Sequence, residues 1–222
     1  MKVTWLGQAG LYLQTKQVSI LVDPYFTDSA SSVACHRKMP VDPIVWGLKP
    51  DVLLITHGHI DHYDPETVSH FVHADSNVTI LSPRSVWESI RKAKGENNFV
   101  CVSSGVIWTA GDVEIRTVSA VHSDPFAVGF VLKTGEKCYY IAGDTLYSRQ
   151  LAKEIAEPID VAFLPINGKG NNMNATDAAK LASELDAKLA IPVHFGMLDD
   201  LDATVFAYEN KMIPEIYKEF EL

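Results

Sequence analysis

The sequence predicts a mixed α/β layered fold in one domain, and three observations favour it. Short runs typical of β-strands alternate with stretches whose apolar residues repeat at helical spacing. Turn residues are spread evenly along the 222 residues, and no repeat or low-complexity stretch marks a linker. The chain is 47% hydrophobic and 21% charged, which is typical of a globular protein and excludes a disordered or fibrous one. We therefore expect one domain that covers residues 1–222.

The N-terminal part predicts three consecutive strands separated by short turns, over residues 2–7, 10–15 and 18–23. Residues 27–48 show no period and predict a long loop, which in a compact domain is more often functional than idle. Beyond this loop, strand patterns alternate with helix patterns. The predicted strands cover residues 51–56, 78–82, 99–102, 113–121, 127–133, 137–142, 161–165 and 189–193. The predicted helices cover residues 65–73, 84–92, 148–155 and 175–186, and Pro65 stands where a first-turn proline belongs.

The charge and cysteine content exclude several partners. The chain carries 19 Lys and Arg residues against 28 Asp and Glu residues, a net charge of −9, so we expect no nucleic-acid partner. No signal-peptide pattern precedes the first strand, and no apolar run approaches the ~18 residues that span a bilayer, so we expect no membrane partner. Three widely spaced cysteines predict neither a disulfide framework nor a zinc-binding pair, and the cytoplasm is the expected location. A homo-oligomer is allowed, although a chain of this length does not need one to fold.

The segment that carries most chemistry is residues 56–62 (Thr-His-Gly-His-Ile-Asp-His), directly after the apolar run 52–55. Three imidazoles and a carboxylate are costly beside a buried strand unless each is hydrogen-bonded or binds a metal. His57 and His59 can converge on one ion, while Asp61 and His62 turn toward a second position. These ligand types suit Zn, Mn or Fe, and the lack of a cysteine ligand argues against a purely structural zinc site. A lone histidine is more often an ordinary surface or core residue, but the cluster favours a metal.

Three further predicted strands are also followed by a potential metal ligand. These ligands are His122, Asp144 and His194. If the strand ends lie along the same edge of neighbouring sheets, their side chains converge at one rim with residues 57–62. We therefore expect one metal site built from the ends of several strands.

These motifs, with residues 21–24 (Leu-Val-Asp-Pro) upstream and residues 143–145 (Gly-Asp-Thr) downstream, resemble the metallo-β-lactamase superfamily. They look in particular like its L-ascorbate-6-phosphate lactonase-like branch of metal-dependent hydrolases. The resemblance implies a four-layer αβ/βα sandwich, with the metal site at one edge between the two sheets. It also implies two divalent metal ions, either Zn or Mn, with Fe as an alternative.

The resemblance further assigns a role to each candidate ligand. It implies that one ion is held by His57, His59 and His122, and the other by Asp61, His62 and His194, with Asp144 bridging. Asp23 would steady the ligand loop without binding a metal, which is a common role for carboxylates near metal-bound imidazoles. The alternative for Asp23 is an aspartate that begins the turn before Pro24.

A dinuclear site of this kind permits hydrolysis, because the pKa of bound water falls from about 15.7 toward about 7, which gives hydroxide at neutral pH. We expect the opening of a small anionic ester, a lactone or a sugar-phosphate lactone. Asp61 and His62 are the predicted catalytic residues, and Asp61 is either a ligand or the carrier of a proton to the leaving group. No G-x-S-x-G motif offers a serine nucleophile instead.

Four side chains are candidates for contacts with an anionic substrate, and solvated charge or packing is the alternative for each. They are Lys169, Arg37, Arg84 and Tyr147. Lys169 is the best of them, because it stands in the Gly/Asn-rich run 167–172, where the backbone can approach a ligand closely.

Three other functions remain open from the sequence. The first is a metal-dependent phosphodiesterase or nuclease of the same superfamily, although the net charge counts against RNA as its substrate. The second is an iron-dependent redox enzyme with the same ligands. The third is a non-catalytic metal-binding protein, and the presence of all the candidate ligands argues against it.

Overall fold

Two β-sheets face each other in the structure, a computed structural model that describes all 222 residues. The strands are β1 (Lys2–Gly7), β2 (Gly10–Gln14), β3 (Ser19–Val22), β4 (Val52–Leu54), β5 (Thr79–Pro83), β6 (Asn98–Val102), β7 (Ile107–Ala110), β8 (Val113–Ser119), β9 (Val128–Thr134), β10 (Lys137–Ile141), β11 (Val161–Pro165), β12 (Leu189–Val193) and β13 (Glu219–Glu221). The α-helices are α1 (Pro65–Phe71), α2 (Arg84–Ile90), α3 (Arg149–Ile155) and α4 (Ala175–Glu184).

The strand order places the ends of several strands at one edge. The first sheet has the order β13-β1-β2-β3-β4-β5-β6, and the second has the order β12-β11-β10-β9-β8-β7. Strands β3 to β6 are parallel to one another, and so are β10 to β12. Because β9 is antiparallel to both β8 and β10, β8 runs in the same direction as β10. The loops that follow β8, β10 and β12 therefore leave the second sheet at the same edge.

The sheets enclose a common apolar core, and the helices cover their outer faces. In β3, Val22 packs between the sheets, whereas Leu21 packs on the outer side with Phe71 of α1. In β11, Phe163 packs between the sheets, whereas Leu164 packs on the side of α3 and α4. Strands with two buried faces have nearly continuous apolar sequences, which is why the sequence patterns identified them. The predicted αβ/βα sandwich is confirmed.

The helices are short, and polar caps fix where they begin. The Asp64 side chain accepts hydrogen bonds from the first backbone N–H groups of α1, where Pro65 is the first residue. Ser148 and Asn174 cap α3 and α4 in the same way. The helix predicted from residue 148 therefore begins one residue later, because Ser148 is its cap. None of the four helices is both long enough and apolar enough to cross a lipid bilayer.

Two edge strands were not predicted. Ile107 in β7 is 58% exposed, and β13 reads Glu-Phe-Glu, so neither strand has the buried apolar pattern of an inner strand. The predicted strands at 51–56 and 113–121 are shorter in the structure, because the chain leaves each sheet before the polar segment that follows. The predicted loop 27–48 contains two short 3₁₀ helices, Ser29–Val33 and Pro43–Gly47.

Candidate metal centre

The structure brings all seven predicted ligands together at the edge between the sheets. Residues 57–62 follow β4 and the other three ligands follow β8, β10 and β12. The ligand atoms form two groups, and within each group they lie within 4.8 Å of one another. The first group is His57, His59, His122 and Asp144, and the second is Asp61, His62 and His194.

The Asp144 carboxylate stands between the two groups. Its Oδ2 atom lies 3.9 Å from His57 Nε2 and 4.0 Å from His122 Nε2. Its Oδ1 atom lies 3.2 Å from His62 Nε2 and 3.3 Å from His194 Nε2. Each oxygen of Asp144 therefore faces a different group of imidazoles, which is the arrangement expected of a bridging carboxylate.

Several of these atoms are buried without a hydrogen-bond partner. They are His57 Nε2, His62 Nε2 and Asp144 Oδ1. An unpaired buried polar atom costs about 1–3 kcal/mol, and such atoms are rare in folded proteins. Here they point toward one another, so a cation between them would give each one a partner. Since the set contains imidazole and carboxylate and no cysteine, it fits Zn, Mn or Fe.

Asp23 orients the imidazole of His62. Asp23 is fully buried, and its Oδ2 atom accepts hydrogen bonds from His62 Nδ1 at 2.8 Å and from Thr56 Oγ1 at 2.6 Å. Its Oδ1 atom accepts the backbone N–H of Thr56 at 2.8 Å. With the proton of His62 committed to Nδ1, Nε2 is free to bind a cation. Asp23 thus contacts both a predicted ligand and the loop that carries the ligands.

Sharp turns in left-handed backbone conformation bring the ligands to the rim. Asp23 has φ 40°, Gly143 has φ 60° and His194 has φ 58°. A Cβ atom at Gly143 would lie 2.8 Å from the Cβ of Thr56, so only glycine fits immediately before Asp144. For Asp23 and His194, this conformation costs about 1–2 kcal/mol each, which the surrounding structure must offset.

Burial lowers the pKa values of the clustered histidines, whereas the neighbouring carboxylates raise them. Burial lowers the pKa of His194, but the Asp144 and Asp61 carboxylates outweigh it and raise this pKa to about 10. Burial also lowers the pKa of His62, yet the same carboxylates raise it well above its ordinary value. For His57, burial and the neighbouring His62 hold the pKa well below its ordinary value. Without a metal, the carboxylates therefore favour the positively charged form of His62 and His194, and burial favours the neutral form of His57.

A cavity of about 280 Å³ opens in front of these ligands. Of the predicted substrate contacts, only Lys169 lines it. The cavity is also lined by Asn167 of the same Gly/Asn-rich run, and by Gln8 and Cys35, which are not among the predicted substrate contacts. The one local signal for Gln8 is its place in the Gly7-Gln8-Ala9-Gly10 turn.

The other three predicted substrate contacts lie elsewhere and have protein partners. The Arg37 guanidinium donates to the carbonyls of Tyr25 and Met39 and to the hydroxyl of Tyr217, so it holds the long loop in place. Arg84 pairs with Glu88 along α2. Tyr147 donates to Glu184, and Lys180 lies over its ring. Arg37, Arg84 and Tyr147 therefore lie outside the cavity, and their polar groups are engaged by the protein and not by a substrate.

Comparison with known proteins identifies the family. The family model for the beta-lactamase superfamily domain matches residues 2–194. A UPF0173 metal-dependent hydrolase of Ligilactobacillus salivarius (strain UCC118) is 34% identical over 239 residues, covering 100% of both chains. The chain belongs to the UPF0173 family of the metallo-β-lactamase superfamily. The His/Asp cluster of this UPF0173 protein is thus the metal-binding cluster of a metal-dependent hydrolase.

Solved structures share the fold of this UPF0173 protein. A metallo hydrolase from the archaeon Ignicoccus hospitalis KIN4/I has a TM-score of 0.75 and 20% identity, covering 100% of this chain and 98% of that one. An isothiocyanate hydrolase from Delia radicum gut bacteria has a TM-score of 0.78 and 19% identity, covering 100% of this chain and 99% of that one. At these identities the likeness shows the fold, and the fold is compatible with more than one substrate.

Changing Asp23 to Asn tests its part in the metal centre. The amide keeps the shape of the side chain but loses the charge that holds the His62 proton on Nδ1. We expect Asp23→Asn to weaken Zn²⁺ binding by about 10–100-fold, as for other residues that support a ligand. Competition with a chromophoric chelator measures the affinity. The matched control is Asp51→Asn at the other end of β4. There the carboxylate accepts hydrogen bonds from the backbone N–H and the hydroxyl of Ser19 at the surface, so this variant should bind Zn²⁺ as wild type does.

Metal binding should release protons, because a cation cannot bind an imidazole nitrogen that carries one. His62 and His194 have raised pKa values, so each must lose a proton when it binds. We expect Zn²⁺ to displace about two protons per chain near neutral pH, and its affinity to increase as the pH rises. Isothermal titration calorimetry in buffers of different ionisation enthalpy counts these protons. A binding enthalpy that is the same in every buffer would contradict the assignment.

Proposed function

We propose that this UPF0173 hydrolase opens a small anionic ester, with a lactone or sugar-phosphate lactone as its substrate class. We also propose that the chain belongs to the lactonase-like branch of the superfamily and forms one hydrolase domain over residues 1–222. The observation that carries the proposal is the juxtaposition of the metal-binding cluster and Lys169 in one cavity. The cluster supports hydrolysis, and the lysine supports an anion beside it.

We assign two divalent ions to the cluster, either Zn or Mn, with Fe as an alternative. The first is assigned to His57, His59 and His122, and the second to Asp61, His62 and His194, with Asp144 shared. Divalent ions at such a site make water acidic enough to give a nucleophile at neutral pH, and polarise the oxygen under attack. The chain itself supplies the orientation of the substrate and the handling of protons.

Asp61 and His62 have different parts in this proposal. Asp61 lines the cavity, so its ionised carboxylate can take up the proton that the attacking water loses and pass it to the leaving alkoxide, as well as bind an ion. His62 is fully buried, with Nδ1 engaged by Asp23, so it contributes as an oriented ligand. We therefore assign proton transfer to Asp61 alone.

Lys169 supports an anionic substrate. Its side chain makes no hydrogen bond or salt bridge with the protein. The flanking residues Gly168 and Gly170 both have positive φ, and neither has a side chain that would block the approach of a ligand. The neighbouring acidic residues are already engaged: Asp199 accepts two backbone N–H groups and Asp200 pairs with Lys38. The ammonium group is therefore free to bind a carboxylate or phosphate.

The size and charge of the molecule favour a small substrate. A cavity of about 280 Å³ suits a metabolite rather than a polymer. The net charge of −9 disfavours nucleic acid, and we propose neither a nucleic-acid nor a membrane partner. All three cysteines are free, two of them exposed, which suits the reducing cytoplasm. A homo-oligomer is compatible with the proposal and is not required by it.

A substrate panel tests the proposed reaction. Metal-loaded protein should open lactones and sugar-phosphate lactones faster than it cleaves a generic phosphodiester or an isothiocyanate. A chelator should abolish turnover and Zn²⁺ or Mn²⁺ should restore it. Asp61→Asn should lose about 10²–10⁴ in rate while retaining at least one ion, whereas Asp75→Asn on the distant surface should behave as wild type. Diester cleavage without lactone opening would overturn the substrate class, and unchanged turnover in Asp61→Asn would remove its role.

Replacing Lys169 separates substrate charge from chemistry. Because the ammonium binds the anion and does not contact the cluster, we expect Lys169→Ala to raise KM for an anionic lactone about tenfold with kcat unchanged. KM for a neutral lactone should stay the same. Steady-state kinetics on the matched pair of substrates measures the difference. Lys180→Ala, which removes a cation lying over Tyr147 outside the cavity, is the control. An equal change for both lactones would show that Lys169 does not recognise charge.

A further inference from the structure

Gln8 occupies an unusual position in the turn between β1 and β2. Its side chain is 2% exposed, although glutamine is seldom buried, and it lines the wall of the cavity. Its backbone has φ 50°, a left-handed conformation that a residue with a side chain adopts at a cost. A glycine at this position would avoid the cost, and the same turn already contains glycine at positions 7 and 10. A strained and buried polar residue at a site invites a functional explanation.

The side chain of Gln8 contacts two of the proposed ligands of the second ion. Gln8 Nε2 donates to Asp61 Oδ2 at 2.8 Å. The same nitrogen lies 3.1 Å from Nε2 and 3.3 Å from Nδ1 of His194. Asp61 Oδ2 is also the oxygen that faces His194 Nε2, at 3.3 Å, and His62 Nε2, at 3.8 Å. Gln8 therefore holds the one carboxylate oxygen that turns toward the imidazoles.

The backbone of Gln8 is tied to the same region. Its carbonyl accepts the backbone N–H of His194 at 2.8 Å and the indole N–H of Trp5 at 2.9 Å. The Trp5 ring in turn stacks on Phe195, with ring centroids 4.7 Å apart. Main chain and side chain of one residue thus connect the turn after β1 with both the loop after β4 and the end of β12.

We propose that Gln8 is a positioning residue for the Asp61/His194 half of the metal centre. An amide N–H donates a hydrogen bond without adding a full positive charge, so it can orient Asp61 without repelling a cation as lysine or arginine would. An ionised carboxylate oxygen has two lone-pair directions, and the hydrogen bond from Gln8 occupies one and leaves the other for the ion. The inference depends on the proposed function only through the assignment of Asp61 and His194 to the second ion.

Two substitutions separate this role from a contribution to folding. Gln8→Gly removes the amide and relieves the left-handed strain, so the stability of the fold should be retained or increased. Gln8→Met keeps the length of the side chain and the strain but removes the donor. We expect both variants to bind the first equivalent of Zn²⁺ as wild type does and the second about 10–100-fold more weakly. Ala156→Gly, at another non-glycine residue with positive φ, is the control and should bind both equivalents normally.

Isothermal titration of metal-stripped protein with Zn²⁺ measures the two equivalents, and the visible absorption of Co²⁺ reports the geometry of each site. Thermal melts establish that each variant is folded, and if Gln8→Met does not fold, Gln8→Gly decides the question. If the folded variants bind both equivalents of Zn²⁺ with wild-type affinity, or if both affinities fall equally, the role of Gln8 is wrong. A single equivalent in wild type would overturn the two-ion assignment of the proposed function, and with it the role of Gln8. A failure of the substrate panel would leave this result intact.

Discussion

The Asp144 carboxylate is the interaction on which the metal centre depends, since its oxygens face two different groups of imidazoles. It is only 5% exposed, and Oδ1 has no hydrogen-bond partner in the protein. Together with the buried nitrogens of His57 and His62, it leaves several polar atoms without a well-aligned hydrogen bond, and a cation between them would give each one a partner. Cations that pair with these atoms bind the folded chain more tightly than the unfolded chain, because only folding brings the ligands together. Metal occupancy and fold stability are therefore linked.

The two sheets make this convergence feasible. The strands that precede the ligands run in the same direction within the second sheet, so their ends meet at one edge, opposite the loop that follows β4 in the first sheet. The left-handed residues Asp23 and His194 turn the chain sharply at this edge. Each of these conformations costs about 1–2 kcal/mol, and packing in the large apolar core between the sheets offsets this cost by fixing the strands that carry them.

The sequence alone predicts the ligand set because its signals are local. Residues 57–62 form one contiguous segment, and each later ligand follows an apolar strand whose pattern is itself visible. The supporting contacts are different, since they join distant parts of the chain. Gln8 is 53 residues from Asp61 and 186 residues from His194, and no local pattern links them. The edge strands β7 and β13 were missed for a different reason, because neither has the buried apolar pattern that identifies the other strands.

Substrate contacts were the least predictable part, and Arg37 shows why. A cationic residue in a long loop has the same sequence pattern whether its side chain faces a ligand or the protein. The Tyr217 hydroxyl, which accepts a hydrogen bond from Arg37, lies 180 residues away in the sequence. The loops that form the cavity wall also depend on one another: the backbone N–H of Lys38 donates to Met197, beyond the His194 ligand. The sheets thus fix the metal centre, while separate loops fix what fits in front of it. The same metal centre is therefore compatible with different substrates, and the loops around the cavity are where a difference in substrate would arise.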